Sequence, residues 1–192
     1  LEDASSVDLS AFKVWYSQAG TPHLNARVEH DAEAKIATLH LAQHVPPTPG
    51  QSVKAPMPLP HKTALIGEQS GAELASERLI VLDQAADSIR FDNIAEPPLL
   101  SINRHFSAPV VVEAERREGE LERLAQSDSD PFARYEAMQE LMMRALVAGA
   151  RGEAVDSDAV VRAVGATLRS NSLDPAFKGE AILLPSETLT AE

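Results

Sequence analysis

Two histidines are the chain's best candidates for metal chemistry. His40 and His44 stand four residues apart, the spacing at which the histidines of zinc peptidases share a helix face and bind one metal ion. In that motif a glutamate that activates water follows the first histidine, whereas here Leu41 follows it. Both histidines also lie in a run that alternates as a strand does. We therefore favour cross-strand surface histidines over a metal site.

Ser70 is the candidate nucleophile. Residues 67–71, GEQSG, are similar to the Gly-x-Ser-x-Gly elbow of hydrolases, but the serine stands one position too late and no strand-to-helix turn surrounds it. A hairpin loop is the better interpretation. Met138, Met142 and Met143 have helical spacing and favour core packing over a ligand groove. With no phosphate-binding loop and no paired carboxylates, the sequence predicts no catalytic, cofactor-binding or metal-binding residue.

Composition restricts the classes of partner. The net charge of −12 argues against nucleic acid, because duplex binding depends on Lys and Arg that neutralise phosphates. Cysteine is absent, which suits a reducing, cytoplasmic compartment. No apolar run approaches the roughly 20 residues that span a bilayer, and the first residues lack a signal pattern. We expect a soluble chain without a membrane partner.

The apolar pattern changes its period within residues 106–132. Ten of the thirteen prolines lie at or before Pro109, among short β-branched runs, and the later apolar residues recur every three or four positions. A chain of 192 residues can hold two modules of roughly 90 residues each. We therefore predict that a β-rich module meets an α-helical module here, with a helix capped by Asp130 at the junction.

The β-rich module contains about seven short runs that alternate as strands do. Between two of them, residues 45–60 contain six prolines, which remove ladder donors and predict an extended crossing between sheets. Strands without intervening helices indicate an antiparallel two-sheet sandwich of immunoglobulin-like type. The predicted strands span residues 24–29, 35–44, 59–66, 79–82, 88–91, 99–103 and 109–114.

The second module is predicted to be all-α, a series of helical hairpins that resembles the start of a solenoid. Helices are expected over residues 118–125 and 131–150, and two more begin at the caps Asp156 and Asp174. A further helix begins at residues 185–187 without an end, so the sequence looks truncated. The residues predicted to face inward are Leu121, Leu124, Ala125, Phe132, Tyr135, Met138, Met142, Leu146, Val160, Val161, Val164, Leu168, Phe177, Ala181, Ile182 and Leu184.

Residues 8–20 predict one amphipathic helix with an aromatic face. Asp8 can cap this helix, and Gly20 can end it in the left-handed conformation. An apolar face of this kind needs a covering surface, which is either the β-rich module or a neighbour outside this sequence. Three of the chain's eight aromatic side chains form the face, namely Phe12, Trp15 and Tyr16.

Six short motifs occur along the chain in one order: FKVWYSQAGTP (12–22), PPTPGQ (46–51), FDN (91–93), FSAPV (106–110), DSDPF (128–132) and the pair LDPA (173–176) with LPS (184–186). Together they resemble the bacterial aminopeptidase N family of zinc metallopeptidases. Six matches in the same order, over nearly the whole chain, are specific where any one of them is weak.

The resemblance implies a four-part enzyme: an N-terminal β domain, a thermolysin-like catalytic domain, a small β-sandwich and a C-terminal helical domain that closes over the active-site cavity. It assigns residues 1–20 to a lead helix at the end of the catalytic domain. Residues 21–114 become the sandwich, and residues 115–192 the truncated start of the helical domain. The implied partners are the missing catalytic domain and the rest of the helical domain, with peptide substrates reached only through the parent enzyme.

The motifs that carry catalysis in this family are missing. His-Glu-x-x-His with a downstream Glu binds zinc there, and Gly-x-Met-Glu-Asn binds the substrate's free amine, but neither occurs here. We therefore expect zinc in the parent enzyme and none in this chain. Two functions stay open: a non-catalytic fragment of an aminopeptidase whose sandwich is a spacer, or a free-standing module that binds protein or peptide. The second predicts a complete last helix and an exposed groove.

Overall fold

The computed structural model describes residues 8–186. Seven strands come first, and helices follow them, as the change in apolar period predicts. The strands are β1 (His23–Asp31), β2 (Ile36–His44), β3 (Leu59–Gly67), β4 (Glu73–Leu82), β5 (Ala86–Asp92), β6 (Pro98–Arg104) and β7 (Val111–Ala114).

The strands form the predicted immunoglobulin-like sandwich of two sheets. One sheet has the order β5-β2-β1-β7 and the other β4-β3-β6. All neighbouring strands are antiparallel except β1 and β7, which run parallel, contrary to the fully antiparallel prediction. Strand β4 also begins at Glu73 and not at residue 79. In its first half, ELASER, apolar and polar residues alternate only weakly. Pairing with β3 makes this segment a strand.

The proline-rich crossing connects the two sheets as predicted. Apart from one isolated bridge between Thr48 and Gln51, the residues between β2 and β3 belong to no helix or strand. Two apolar side chains of the crossing, Val45 and Met57, are buried in the sandwich core. The other buried members of this core are Leu24, Ala26, Ala37, Leu39, Leu41, Leu59, Leu65, Leu82, Phe91, Ile94, Leu100 and Ile102.

The helical module shares a second core with the sandwich. Ile66 of β3 and Leu99 of β6 lie in the same buried cluster as side chains from three helices, so the two modules pack as one body along this side. The helical members are Leu121, Leu124, Ala125, Ala137, Met138, Met142 and Ala163. The helices are α1 (Val14–Ser17), α2 (Glu120–Ser127), α3 (Pro131–Ala150), α4 (Ser157–Arg169) and α5 (Pro175–Ala181).

The helices begin at the predicted caps, whereas some of their buried faces differ from the predicted ones. The side chains of Asp130, Asp156 and Asp174 accept hydrogen bonds from the first turns of α3, α4 and α5. Among these described helices, none is long and apolar enough to cross a bilayer. The prediction for residues 185–187 lies partly outside the described part of the chain, and residues 185 and 186 are not helical.

Helix α4 packs Val160 and Val164 against the second core as predicted, but its most deeply buried side chains are different ones. Its buried side chains are Ala159, Ala163 and Thr167, because small residues at every fourth position let the helix pack close to α2. Val161, predicted to be inside, is 67% exposed. Leu146, Leu168 and Leu184 were also predicted to be inside and are exposed.

Candidate functional site at the junction of the two modules

The two candidate metal ligands lie on strand β2 and point to different partners. Residues four apart on a strand are about 13 Å apart, so His40 and His44 cannot share one ion. The His40 Nδ1 lies 2.9 Å from Ser88 Oγ on β5. The His44 ring lies 4.8 Å from the ring of His23, its cross-strand partner on β1. This is the cross-strand surface arrangement that the sequence favours.

The described residues do not fit a zinc ion. Within residues 8–186, no group of three or more His, Asp or Glu side chains is arranged to bind a metal, and a zinc site needs three protein ligands or more. No catalytic step through a metal can therefore be derived from these residues.

Ser70 belongs to the hairpin turn between β3 and β4. Its backbone amide and that of Gln69 donate to Glu96 Oε2, at 3.1 and 2.7 Å. A hydrogen bond with the Ser70 side chain, followed in effect by these two backbone bonds, holds the pKa of Glu96 below its ordinary value. The carboxylate thus closes the turn, and among the described residues no histidine bonds to the serine that would activate it.

The N-terminal segment folds back onto the proline-rich crossing. It contains a 3-10 helix over Ala11–Lys13 that continues directly into the single turn α1, so the helix is shorter than the predicted one over residues 8–20. Asp8 Oδ1 accepts from Ser10 N at 2.8 Å and caps no helix. The reason is that the crossing satisfies the backbone where the helix would continue: the Gln51 side chain accepts from Ala19 N and donates to Ser17 O, both at 2.8 Å.

The aromatic face of this segment is divided between two environments. Trp15 packs against the sandwich core and donates from Nε1 to Pro58 O at 3.0 Å. Tyr16 is 85% exposed, and Phe12 is also exposed. The sandwich therefore covers the tryptophan, and the other two rings are left as an apolar patch.

We expect Trp15→Ala to destabilise the sandwich by about 2 kcal/mol, because it removes a half-buried ring and leaves the Pro58 carbonyl without its donor. Chemical denaturation followed by far-UV circular dichroism measures the loss. Tyr16→Ala is the matched control, since that ring is exposed, and it should change stability by less than about 0.5 kcal/mol. Equal effects of the two substitutions would contradict this docking.

A buried arginine links the sandwich to the helices. Arg104 ends β6, and its side chain is only 4% exposed. Its Nη2 donates to Ser129 Oγ at 2.6 Å and to Glu73 Oε1 at 3.1 Å, and lies 3.4 Å from Asp128 Oδ1. Its Nη1 lies 3.3 Å from Glu77 Oε2. One guanidinium therefore joins β4, β6 and the link between α2 and α3, and we call these five residues the Arg104 network.

Asp128 is the most buried acid of the Arg104 network. Its side chain is 1% exposed, and Oδ1 also accepts from Asp130 N at 2.9 Å. Burial raises the pKa of Asp128 above its ordinary value, although its hydrogen bonds and Arg104 act in the opposite direction. The charged form of Asp128 therefore depends on these hydrogen bonds and on the guanidinium, which together oppose the effect of burial.

The end of β6 and the turn that follows it have an unusual backbone. Asn103, His105 and Phe106 all have positive φ angles, of 56, 58 and 51°, which cost free energy in residues other than glycine. The Asn103 side chain compensates by bonding both the N–H and the C=O of Ala108. Asp130 contributes the remaining contacts, since Oδ1 accepts from His105 N at 3.0 Å and Oδ2 lies 2.8 Å from His105 Nδ1.

Asp130 therefore has two roles at once. Its Oδ1 accepts from Ala133 N at 2.9 Å as the predicted N-cap of α3, and the same carboxylate holds the turn after β6 through His105. The cap was predictable from the Asp-Pro pair. The contacts of Arg104 and His105 were not, because the predicted strand ended at Asn103 and the partners are 24 or more residues away.

Two family models match the chain, one for each module. A family model described as a domain of unknown function (DUF3458) with an Ig-like fold matches residues 20–115. A second, described as DUF3458_C with ARM repeats, matches residues 118–192. Aminopeptidase N of Caulobacter vibrioides is 40% identical over 187 residues, which are 96% of this chain and 22% of that protein. Aminopeptidase N of Escherichia coli is 32% identical, over 100% of this chain and 23% of its own length.

The chain belongs to the aminopeptidase N family. It spans about a fifth of the length of these relatives. Among solved structures, the aminopeptidase A of Legionella pneumophila in complex with aspartic acid superimposes with a TM-score of 0.84 at 29% identity, over 96% of this chain and 21% of that one.

Two of the motifs that resemble the aminopeptidase N family form the junction. FSAPV contains the end of the strained turn, and DSDPF contains Asp128, Ser129 and Asp130. The rings of Phe106 and Phe132, one from each motif, lie 5.3 Å apart. Two of the six motifs that carry the resemblance thus join the sandwich to the helices.

Proposed function

We propose that this chain is a non-catalytic part of a zinc-dependent aminopeptidase that removes N-terminal residues from peptides. In this proposal the sandwich is a rigid spacer between the catalytic domain and the helical domain. The observation that carries it is the junction: a shared apolar core and the Arg104 network fix the first helices to the sandwich, as a spacer requires.

The proposed division of the chain follows the family. Residues 1–20 end the catalytic domain, residues 21–114 are the spacer and residues 115–192 begin the helical domain. The exposed rings of Phe12 and Tyr16 are then contacts for the catalytic domain, the main partner of this chain. A cytoplasmic location accords with the absence of cysteine.

A chimera tests the spacer role. Residues 1–192 replace the matching region of the Caulobacter vibrioides aminopeptidase N, and cleavage of an aminoacyl-p-nitroanilide is measured. We expect kcat/KM within about tenfold of the parent enzyme. A second chimera carries a four-residue Gly-Ser insertion after Glu118, which loosens the junction, and should lose activity while its zinc content is unchanged. Full activity of the loosened chimera would refute a spacer that must be rigid.

The chain alone is predicted to bind no zinc tightly and to cleave no aminoacyl substrate. The reason is that His40 and His44 lie on a strand with separate partners, and zinc requires at least three converging ligands. Elemental analysis after dialysis against zinc, together with the p-nitroanilide assay, measures both properties. Stoichiometric zinc, with activity that a chelator removes, would contradict the prediction.

A further inference from the structure

A groove runs between the edge of the sandwich and helix α3. Its volume is about 520 Å³, and strand β7 lines it through Val111 and Val112. Two of its apolar side chains reach solvent: Phe106 is 59% exposed and Val111 43%. The apolar wall residues are Leu100, Ile102, Phe106, Val110, Val111, Val112, Leu124, Phe132, Ala133, Tyr135, Ala137, Met143 and Pro185.

One wall of this groove is an unpaired strand edge. β7 is the last strand of its sheet and pairs only with β1. Val111 N donates to Pro22 O and Glu115 N to Ala26 O, so the odd-numbered residues face β1. In a strand the next residue turns its N–H and C=O the opposite way, and Val112 therefore points its backbone into the groove. Within residues 8–186, no strand pairs with that side of Val112.

The charged side chains that line the groove favour a positively charged ligand. Arg144 pairs with Glu140, and Arg116 with Glu120, so these charges are balanced. Glu136 forms no ion pair with the described residues and stands one helical turn from Glu140. A carboxylate in that position attracts a basic side chain.

We propose that this groove binds an extended peptide segment that carries basic residues, by adding it as a strand to the outer edge of β7. Main-chain hydrogen bonds to Val112 give the register, as in other cases of strand addition. Every second side chain of the peptide enters the apolar wall beside Phe106 and Val111, and a Lys or Arg reaches Glu136. This binding is independent of the proposed spacer role.

A binding experiment with the intact chain tests the proposal. The probe is the fluorescein-labelled peptide Lys-Val-Thr-Val-Lys-Val, and fluorescence anisotropy measures its affinity at two salt concentrations. Val112→Pro removes the amide that faces the groove, leaves the amides of Val111 and Glu115 that face β1 in place, and should weaken binding about tenfold. Glu136→Gln should weaken it about threefold and reduce its salt dependence. Glu153→Gln, an exposed acid beyond the far end of α3, is the matched control and should have no effect.

A modified peptide keeps the test decisive if Val112→Pro does not fold. N-methylation at alternate positions of the peptide blocks its edge hydrogen bonds without touching the protein, and should abolish binding in one of the two alternations. Equal affinity for the methylated and unmethylated peptides would overturn strand addition. A dimer in sedimentation that Val112→Pro dissolves would make the occupant a second copy of this chain, and would overturn the peptide assignment.

Discussion

Replacement of Arg104 by alanine is expected to destabilise the chain by about 3–5 kcal/mol, because removing one partner of a buried ion pair leaves the other charge buried without compensation. Asp128 would lose its cation while its side chain stays almost inaccessible to water. Glu73 and Glu77, which also contact the guanidinium, would lose the same partner. The effect should therefore be larger than that of any exposed salt bridge in the molecule.

Two probes locate this loss of stability. Trp15 is the only tryptophan and reports the sandwich, whereas circular dichroism at 222 nm reports the helices. Because the modules share a core, we expect both signals to shift to lower urea concentration together.

The double variant Arg104→Met with Asp128→Leu is the control for charge. It removes both partners and should recover most of the stability, since an apolar pair of similar size can replace a buried ion pair. A double variant as unstable as Arg104→Ala would show that the Arg104 network stabilises through its other hydrogen bonds, those of Arg104 to Glu73 and Ser129 and that of Asp128 from Asp130 N, rather than through the buried pair.

Asp130→Ala should cost about 3 kcal/mol, well above the roughly 1 kcal/mol of an ordinary N-cap. The excess arises because Asp130 is buried and accepts from His105 N as well as from Ala133 N. Without it, the strained backbone of His105 and Phe106 loses the contacts that compensate for its cost.

Asp156→Ala is the matched control for Asp130→Ala. Asp156 caps α4 through Ala159 N alone at 3.0 Å, so its loss should cost only the amount of a cap, about 1 kcal/mol. Urea denaturation measures both variants. Equal losses would mean that the contact between Asp130 and His105 contributes nothing to stability.

Local signals explain which elements could be predicted. The bounds of α3 match the prediction because the cap Asp130, the proline at the first helical position and the glycines near the end all act within a few residues. Strand β2 matches the alternating run over residues 35–44 within one residue. In both cases the sequence around the element contains the interactions that form it.

The misses share a different cause. The helix over residues 8–20 was predicted from its apolar spacing, but hydrogen bonds from Gln18 and Trp15 to the crossing fix a shorter segment. The inward face of α4 was assigned to valines, two of which do pack against the core, but close packing against α2 buried the alanines most deeply. Each outcome depends on a partner surface that the local pattern does not specify.

The sequence by itself determined that seven strands precede a set of capped helices, that no catalytic motif of the aminopeptidase N family is present, and that the family's order is preserved. These properties depend on periodicity, caps and motifs, all of which act over short separations. Only the tertiary structure decided that Arg104 is buried among acids, that Asp130 holds the β6 turn, and that the edge of β7 is open. Each of these depends on topology, because it joins or leaves apart residues that are 24 or more positions distant along the chain.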